Sequence, residues 1–201
     1  MTNGERPFYH QNMILPILTD TRARLLSTTE RLIYESGIAG TGIDRIVKES
    51  GVSRKTVYRY FQTKEALIAA ALTQRDERWM TWFEAVSLSG MPLPMQVQAM
   101  FDALGIWFNT PDFRGCAFIN AAGETGDAED VIRQVAKAHK FRLLRHLRQV
   151  IKQAGLAQPP ADELAEQLLI LIDGAITVAL VTDNRAAAAQ AARIAAGLLP
   201  N

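Results

Sequence analysis

Apolar residues recur along most of this chain at intervals of three and four, the spacing of one helical face. Leu25, Thr29, Leu32 and Ile33 line a first helix, which Thr19, Asp20 or Thr21 can cap and Gly37 stops. Ile43, Ile46 and Val47 mark a second, closed by Gly51. Ser53 can cap a third, whose Val57 and Phe61 point inward at i and i+4. Thr63 opens a long fourth helix, with Glu65 in its first turn and Trp79, Trp82, Phe83 and Val86 as its far stripe. After a loop from Ser87 to Pro94, a fifth helix carries Val97, Met100, Phe101, Leu104 and Phe108, with Trp107 beside them; Thr110-Pro111-Asp112 breaks it. Gly115 to Glu124 reads as a short, mostly buried helix. A seventh runs from Asp127 to about Ala154, and two more cover 161–182 and 185–199. The pattern predicts an all-α protein of about nine helices.

The eighth helix contains QLLILIDGAITVALV, apolar on nearly all sides apart from Asp173-Gly174. A helix apolar all round must be buried all round. A chain of this size offers few partners, so one face is expected to meet a second copy of the chain. The ninth helix is rich in alanine, which permits close approach. Leu168, Leu169, Ile172, Ile176, Ala179, Ala188 and Ala192 are the candidates for that contact.

Between Thr41 and Lys64 the pattern is two short helices joined by a tight glycine turn, the shape of a helix-turn-helix whose second helix enters a DNA major groove. The charge agrees. Arg45, Lys48, Arg54, Lys55, Arg59 and Lys64 face only Asp44 and Glu49, a net +4 in a chain of formal net charge +1. The other 177 residues carry 16 basic and 19 acidic side chains, which argues against a general DNA-coating protein. Arg54, Lys55 and Thr56 begin the second helix, where base edges are met; Arg and Lys there favour guanine. Tyr58, Tyr60 and Lys64 suit phosphates, and Arg59 either role. Thr41, Gly42, Arg45 and Ser53 complete the candidate DNA surface.

The segment GVSRKTVYRYFQTKEAL resembles the recognition helix and following helix start of the TetR/AcrR family of bacterial repressors. The resemblance rests on Gly51-Val52-Ser53, Thr56, Val57, Tyr58, Phe61, Lys64 and Glu65 and extends over about residues 21–80. FRGCAFINAA resembles a stretch common in one branch of the same family. Gly42 departs from the pattern, since many members carry Ser or Thr there; Thr41 is the substitute hydroxyl. Gly4, Pro7 and Pro16 mark residues 1–18 as a flexible arm. The resemblance implies a helix-turn-helix domain over 19–66 (the motif itself about 42–61), and an effector-binding and dimerisation domain over 67–201. It implies a homodimeric repressor that holds a pseudo-palindromic double-stranded operator and is released by a small, largely apolar or aromatic effector. A small-molecule-binding protein or an activator of the same architecture is the alternative.

An effector pocket is expected among Trp79, Trp82, Phe83, Met100, Phe101, Leu104, Trp107, Phe108 and Phe118, with Glu124 and His139 as polar anchors. His139 and His146, two turns apart, lack a third ligand, so no metal is expected, and no cofactor. Gly37, Gly40 and Gly42 follow no strand and lack dinucleotide-binding spacing. No acid, base and nucleophile converge, so an enzyme is not expected. The single cysteine, Cys116, reads as a packed small residue and suits a reducing cytoplasm. The run from Met13 to Leu18 is too short for a secretory signal, and no segment reads as a membrane span.

Overall fold

The computed structural model describes residues 21–87, 89–156 and 160–200. The arm expected at 1–18 and the caps offered by Thr19 and Asp20 lie outside those residues. Nine α-helices and no strand occur among the described residues: α1 (Thr21–Ser36), α2 (Ile43–Ser50), α3 (Arg54–Tyr60), α4 (Lys64–Val86), α5 (Leu93–Phe108), α6 (Ala117–Gly123), α7 (Val131–Gln153), α8 (Pro160–Thr182) and α9 (Ala187–Leu198).

The helix ends follow side-chain chemistry. Gly51 takes φ +66°, a left-handed turn, and its N–H closes α2 on the Val47 carbonyl at 3.0 Å. Ser53 Oγ accepts from the Thr56 N–H at 3.2 Å and Thr63 Oγ1 from the Ala66 N–H at 3.0 Å, capping α3 and α4. Two boundaries differ from the sequence reading. α5 begins at Leu93, because Pro94 fits a first helical turn, where its missing N–H costs nothing. α7 begins at Val131: Asp127 turns its carboxylate onto the Glu129 N–H, and Asp130 caps the helix through the Ile132 N–H at 2.7 Å.

The buried residues form two cores. Leu25, Leu26, Leu32, Ile46, Val52, Val57 and Phe61 hold α1–α3 together, with Leu67 and Ala71 of α4. A larger core spans α4 to α9. Ile68 and Leu72, also on α4, belong to this second core. The first turns of α4 therefore have one face in each core. The boundary expected at residue 66 falls inside this shared helix.

α8 is long and apolar enough, by length and composition, to cross a membrane. This departs from the sequence reading, in which Asp173-Gly174 interrupts the run. Leu164, Ala165, Leu168, Ile172, Ile176 and Ala179 are nevertheless buried in the protein's own core.

Candidate DNA-binding surface and sensor cavity

α3 has only seven residues, too short to persist without its cap and its core contacts. Val57 and Phe61 anchor it inward. Lys55, Tyr58, Arg59 and Tyr60 are left exposed and Thr56 half-exposed, and the Arg59 guanidinium lies 5.3 Å from the Tyr60 ring centre. Arg54 is exposed and pairs with Asp44 of α2; that carboxylate raises its already high pKa. Arg45 bonds Glu49 at 3.0 Å and Ser36 at 2.9 Å. Glu49 in turn is held below the usual carboxylate range by hydrogen bonds from Arg31 and then Arg45.

Two expected phosphate contacts, Thr41 and Lys64, are placed differently. Thr41 is fully buried and donates its hydroxyl to the Gly37 carbonyl at 2.7 Å, so it does not replace the hydroxyl lacking at position 42. Gly42 is the N-cap of α2, with open space where a Cβ would stand. Lys64 donates from its ammonium to the Ile38 carbonyl at 2.9 Å, which also accepts the Thr41 N–H at 3.2 Å in the turn after α1. Sequence spacing placed Thr41 and Lys64 near the surface; local hydrogen bonding took their polar atoms inward.

A candidate effector cavity lies between α4, α5, α6, α7 and α8. Trp79, Trp107, Ala117, Phe118, His139, Leu143 and Ile176 line it, together with Arg75, Cys116, Lys140 and Asp173. Its free volume is about 10 Å³, room for one water. Four of the eleven expected pocket residues meet there: Trp79, Trp107, Phe118 and His139. Trp82, Phe83, Met100, Leu104 and Phe108 fill the core beside it, and Phe101 faces an open groove with Gly105, Ile106 and Arg185. A single apolar stripe cannot tell a wall from a filling.

His139 is 1% exposed, stacked on Phe118 at 3.7 Å between ring centres, with Nδ1 2.6 Å from Asp76 Oδ1. Burial pushes the Asp76 carboxyl up, but the hydrogen bonds and charges of His139 and Arg142 outweigh it and hold the pKa low. His146 goes elsewhere, with Nε2 2.8 Å from Ser87 Oγ. The sequence reading missed Asp76, Lys140 and Asp173. The available signal was Asp173 itself, a charge inside an apolar run that demands a partner; Lys140 Nζ supplies it at 2.6 Å.

Glu124 does not line this cavity; it lines a second small one between α1, α4 and α6. Its carboxylate accepts the backbone N–H groups of Ile38 at 2.9 Å and Ala39 at 2.8 Å, tying the end of α6 to the α1–α2 turn. At the other end of α6, Tyr34 donates to the Gly115 carbonyl and accepts from the Arg114 N–H, each at 2.9 Å. Glu30 of α1, 7% exposed, binds Arg75 and Arg78 of α4.

The expected subunit contacts also need correction. Leu168, Ile172, Ile176, Ala179, Ala188 and Ala192 are buried inside the chain itself, and Leu169 is half-buried against the same core. The outward stripe of α8 is Ile170, Gly174, Val178 and Val181, with Ile194 and Leu198 on α9. Periodicity could not choose between these faces, because both are apolar.

A capped recognition helix on a three-helix head, joined through one long helix to a helical body, defines a helix-turn-helix transcriptional regulator. The chain belongs to the TetR family. Residues 25–71 match the model of bacterial regulatory proteins of the tetR family, and residues 95–194 match that of the LmrA/YxaF-like regulator C-terminal domain. A TetR-family transcriptional regulator from Streptomyces coelicolor is 32% identical, with TM-score 0.80 over 89% of this chain and 93% of that one. The regulator LmrA of Bacillus subtilis is 24% identical over 82% of this chain and 89% of its own length. The transcriptional repressor NemR of Escherichia coli is 40% identical over 53 residues, 26% of this chain and 27% of its own; its crystal structure superposes with TM-score 0.79 at 21% identity over 90% of this chain and 98% of that one. The family's members are regulators rather than enzymes, and this chain is a DNA-binding transcription factor.

Proposed function

We propose that the protein is a homodimeric repressor that holds a two-fold operator through α3 and releases it when a small, largely apolar or aromatic effector enters the cavity beside Trp79. The observation that carries this reading is α4. One helix contributes Leu67 and Ala71 to the core under α3, and Trp79 to the cavity wall. The cavity admits one water-sized molecule, so a larger effector requires the helices around it to part. Parting them moves α4, and with it the head. An effector that binds the parted state better shifts the equilibrium toward release.

Lys55, Thr56 and Arg59 are the base-reading candidates, with Arg54 freed from Asp44 on contact; Tyr58 and Tyr60 suit phosphates. Two recognition helices must sit about 34–36 Å apart to read one face of DNA. The outward stripe Ile170, Val178 and Val181, with Ile194 and Leu198, suits the dimer that provides this. Repression rather than activation is favoured by NemR, a relative over the head that is named a repressor. The head comprises α1–α3 and the first turns of α4, and the protein works in the cytoplasm, on the nucleoid when operator-bound.

The test is anisotropy of a labelled duplex from the gene's own upstream region, at two salt concentrations, against a scrambled duplex. Selective, salt-sensitive binding that disappears in the Arg54→Ala/Lys55→Ala double variant is expected. Equal binding to both duplexes, followed by no enriched fragment in a genome-wide selection, would overturn it.

A further inference from the structure

The cavity holds a polar cluster that noncovalent recognition of an apolar effector does not use. Cys116 stands at the N-terminus of α6, 6% exposed. Lys140 Nζ lies 3.5 Å from its Sγ and is itself held by Asp173 at 2.6 Å. His139 lines the same cavity as the thiol and is oriented from behind by Asp76 on α4. A nucleophilic atom beside a cation and an imidazole, with a carboxylate behind each, is an arrangement that activates a thiol.

The electrostatics support this geometry. Burial by itself pushes the thiol up. The Lys140 ammonium, then the hydrogen bond and charge of His139, outweigh burial, and the pKa falls to about 7, against the pull of Asp173 in the other direction. The free volume beside the sulfur takes a molecule the size of water. That selects a small inorganic reagent over a bulky one.

We propose that Cys116 is an oxidation site, at which hydrogen peroxide or a similarly small hydroperoxide reacts and loosens the hold of the helical body on the DNA-binding head. The thiolate sulfur attacks one peroxide oxygen. An S–O bond forms and the O–O bond breaks; sulfur is oxidised by two electrons and the peroxide is reduced. The departing hydroxide takes a proton from Lys140 Nζ and leaves as water. A sulfenic acid remains. The chain has no second cysteine to resolve it, so a thiol from another molecule restores the reduced state.

The route to the head is short. Gly115, next in the chain, accepts the Tyr34 hydroxyl, and Arg114 donates its N–H to the same oxygen. This loop cannot retreat outward. Gly115 has φ +75°, and a Cβ there would fall 2.5 Å from Leu180 Cδ2, so α8 lies hard against it. An oxygen added at Cys116 takes up the water-sized space and brings new polar contacts against α6 and the His139–Asp76 pair, and both are tied to the head, through α1 and α4.

The experiment treats the whole protein with hydrogen peroxide and reads the rate of sulfenic acid formation by intact mass and dimedone trapping, from pH 5 to 9. Wild type is expected to react with a midpoint near pH 7. Lys140→Met is expected to react at least about tenfold more slowly at pH 7, because the thiolate fraction falls. Asp173→Asn, which removes the opposing charge, is expected to react faster at pH 6. Opposite effects from the two variants exclude loosened packing, which would speed both; thermal melts check the fold. An unreactive Cys116, or equal rates in wild type and Lys140→Met, would overturn the proposal. The signalling part rests on the repressor reading, and anisotropy on the oxidised protein tests it. Weaker operator binding, reversed by dithiothreitol and absent in Cys116→Ser, is expected; unchanged binding of a fully oxidised protein would overturn it. If the reduced protein binds no operator at all, the repressor reading fails, while the mass measurement still decides the oxidation site.

Discussion

The carboxylate of Glu124 sits 2.9 Å from the backbone nitrogen of Ile38, and its second oxygen is equally close to Ala39. A side chain of the C-terminal helical body thus terminates the N–H groups of a turn in the DNA-binding head. Tyr34 with Gly115, and Glu30 with Arg75, repeat the connection along α1. Any signal that shifts α6 meets the head directly.

Replacing Glu124 by Ala is expected to cost about 1 kcal/mol of stability, the usual worth of such bonds at an exposed position. Its larger effect is expected on coupling: operator binding persists, but effector-induced release weakens. Urea denaturation gives the first, and anisotropy with and without effector gives the second. Glu124→Gln, which keeps one acceptor oxygen, is expected to lie between wild type and Ala. A full response in Glu124→Ala would show that α4 alone carries the signal.

The recognition helix depends on Ser53. Ser53→Ala removes the acceptor for the Thr56 N–H, and caps of this kind contribute about 1 kcal/mol. Fraying of a seven-residue helix is expected to weaken binding to every duplex alike. Arg54→Ala is expected to weaken the operator by about ten- to a hundredfold while leaving scrambled DNA nearly unaffected, if the side chain reads a base. Asp44→Ala, which frees Arg54, is expected to strengthen both. Titrations of the three variants on both duplexes separate these outcomes.

Dimerisation is expected to fail when charge enters the outward stripe. Ile170 is 70% and Val181 74% exposed in the single chain, so Asp at both leaves the monomer core untouched. Light scattering at low concentration is expected to report one chain instead of two, and operator binding to fall with it. Ile172→Asp, on the buried face, is expected to unfold the protein instead.

Acid sensitivity has two sources. Burial lowers the pKa of His146, with Glu84 opposing, so the fold favours the neutral ring. Its contribution is complete above the unfolded value of about 6.5 and is lost as pH falls toward the lower folded pKa. Melts between pH 7 and 5 are expected to show this loss in wild type and a smaller one in His146→Gln. Asp76 acts at lower pH. Its depressed pKa stabilises the fold above the unfolded carboxylate value of about 3.9, and that contribution disappears as pH falls further. Asp76→Asn is expected to flatten the curve below pH 4.

What the sequence determined by itself is what local physics enforces. The three- and four-residue spacing placed the helices, Gly51 set the turn, Ser53 and Thr63 set two caps, and Val57 with Phe61 set the inner face of α3, leaving the exposed DNA-facing side by subtraction. These depend on residues a few positions apart. Tertiary structure alone decided the rest. Thr41 and Lys64 look like surface contacts until neighbouring carbonyls of the α1–α2 turn claim them. Glu124 finds backbone N–H groups more than eighty residues away. Ile172 and Ile170 are alike in composition, and only the packing of α8 against α5, α7 and α9 turns one inward and the other out. Cys116 reads as a small apolar residue until folding sets Lys140, His139 and, through them, Asp173 and Asp76 around its sulfur. Periodicity says that a face is buried; it carries no information about what the face is buried against.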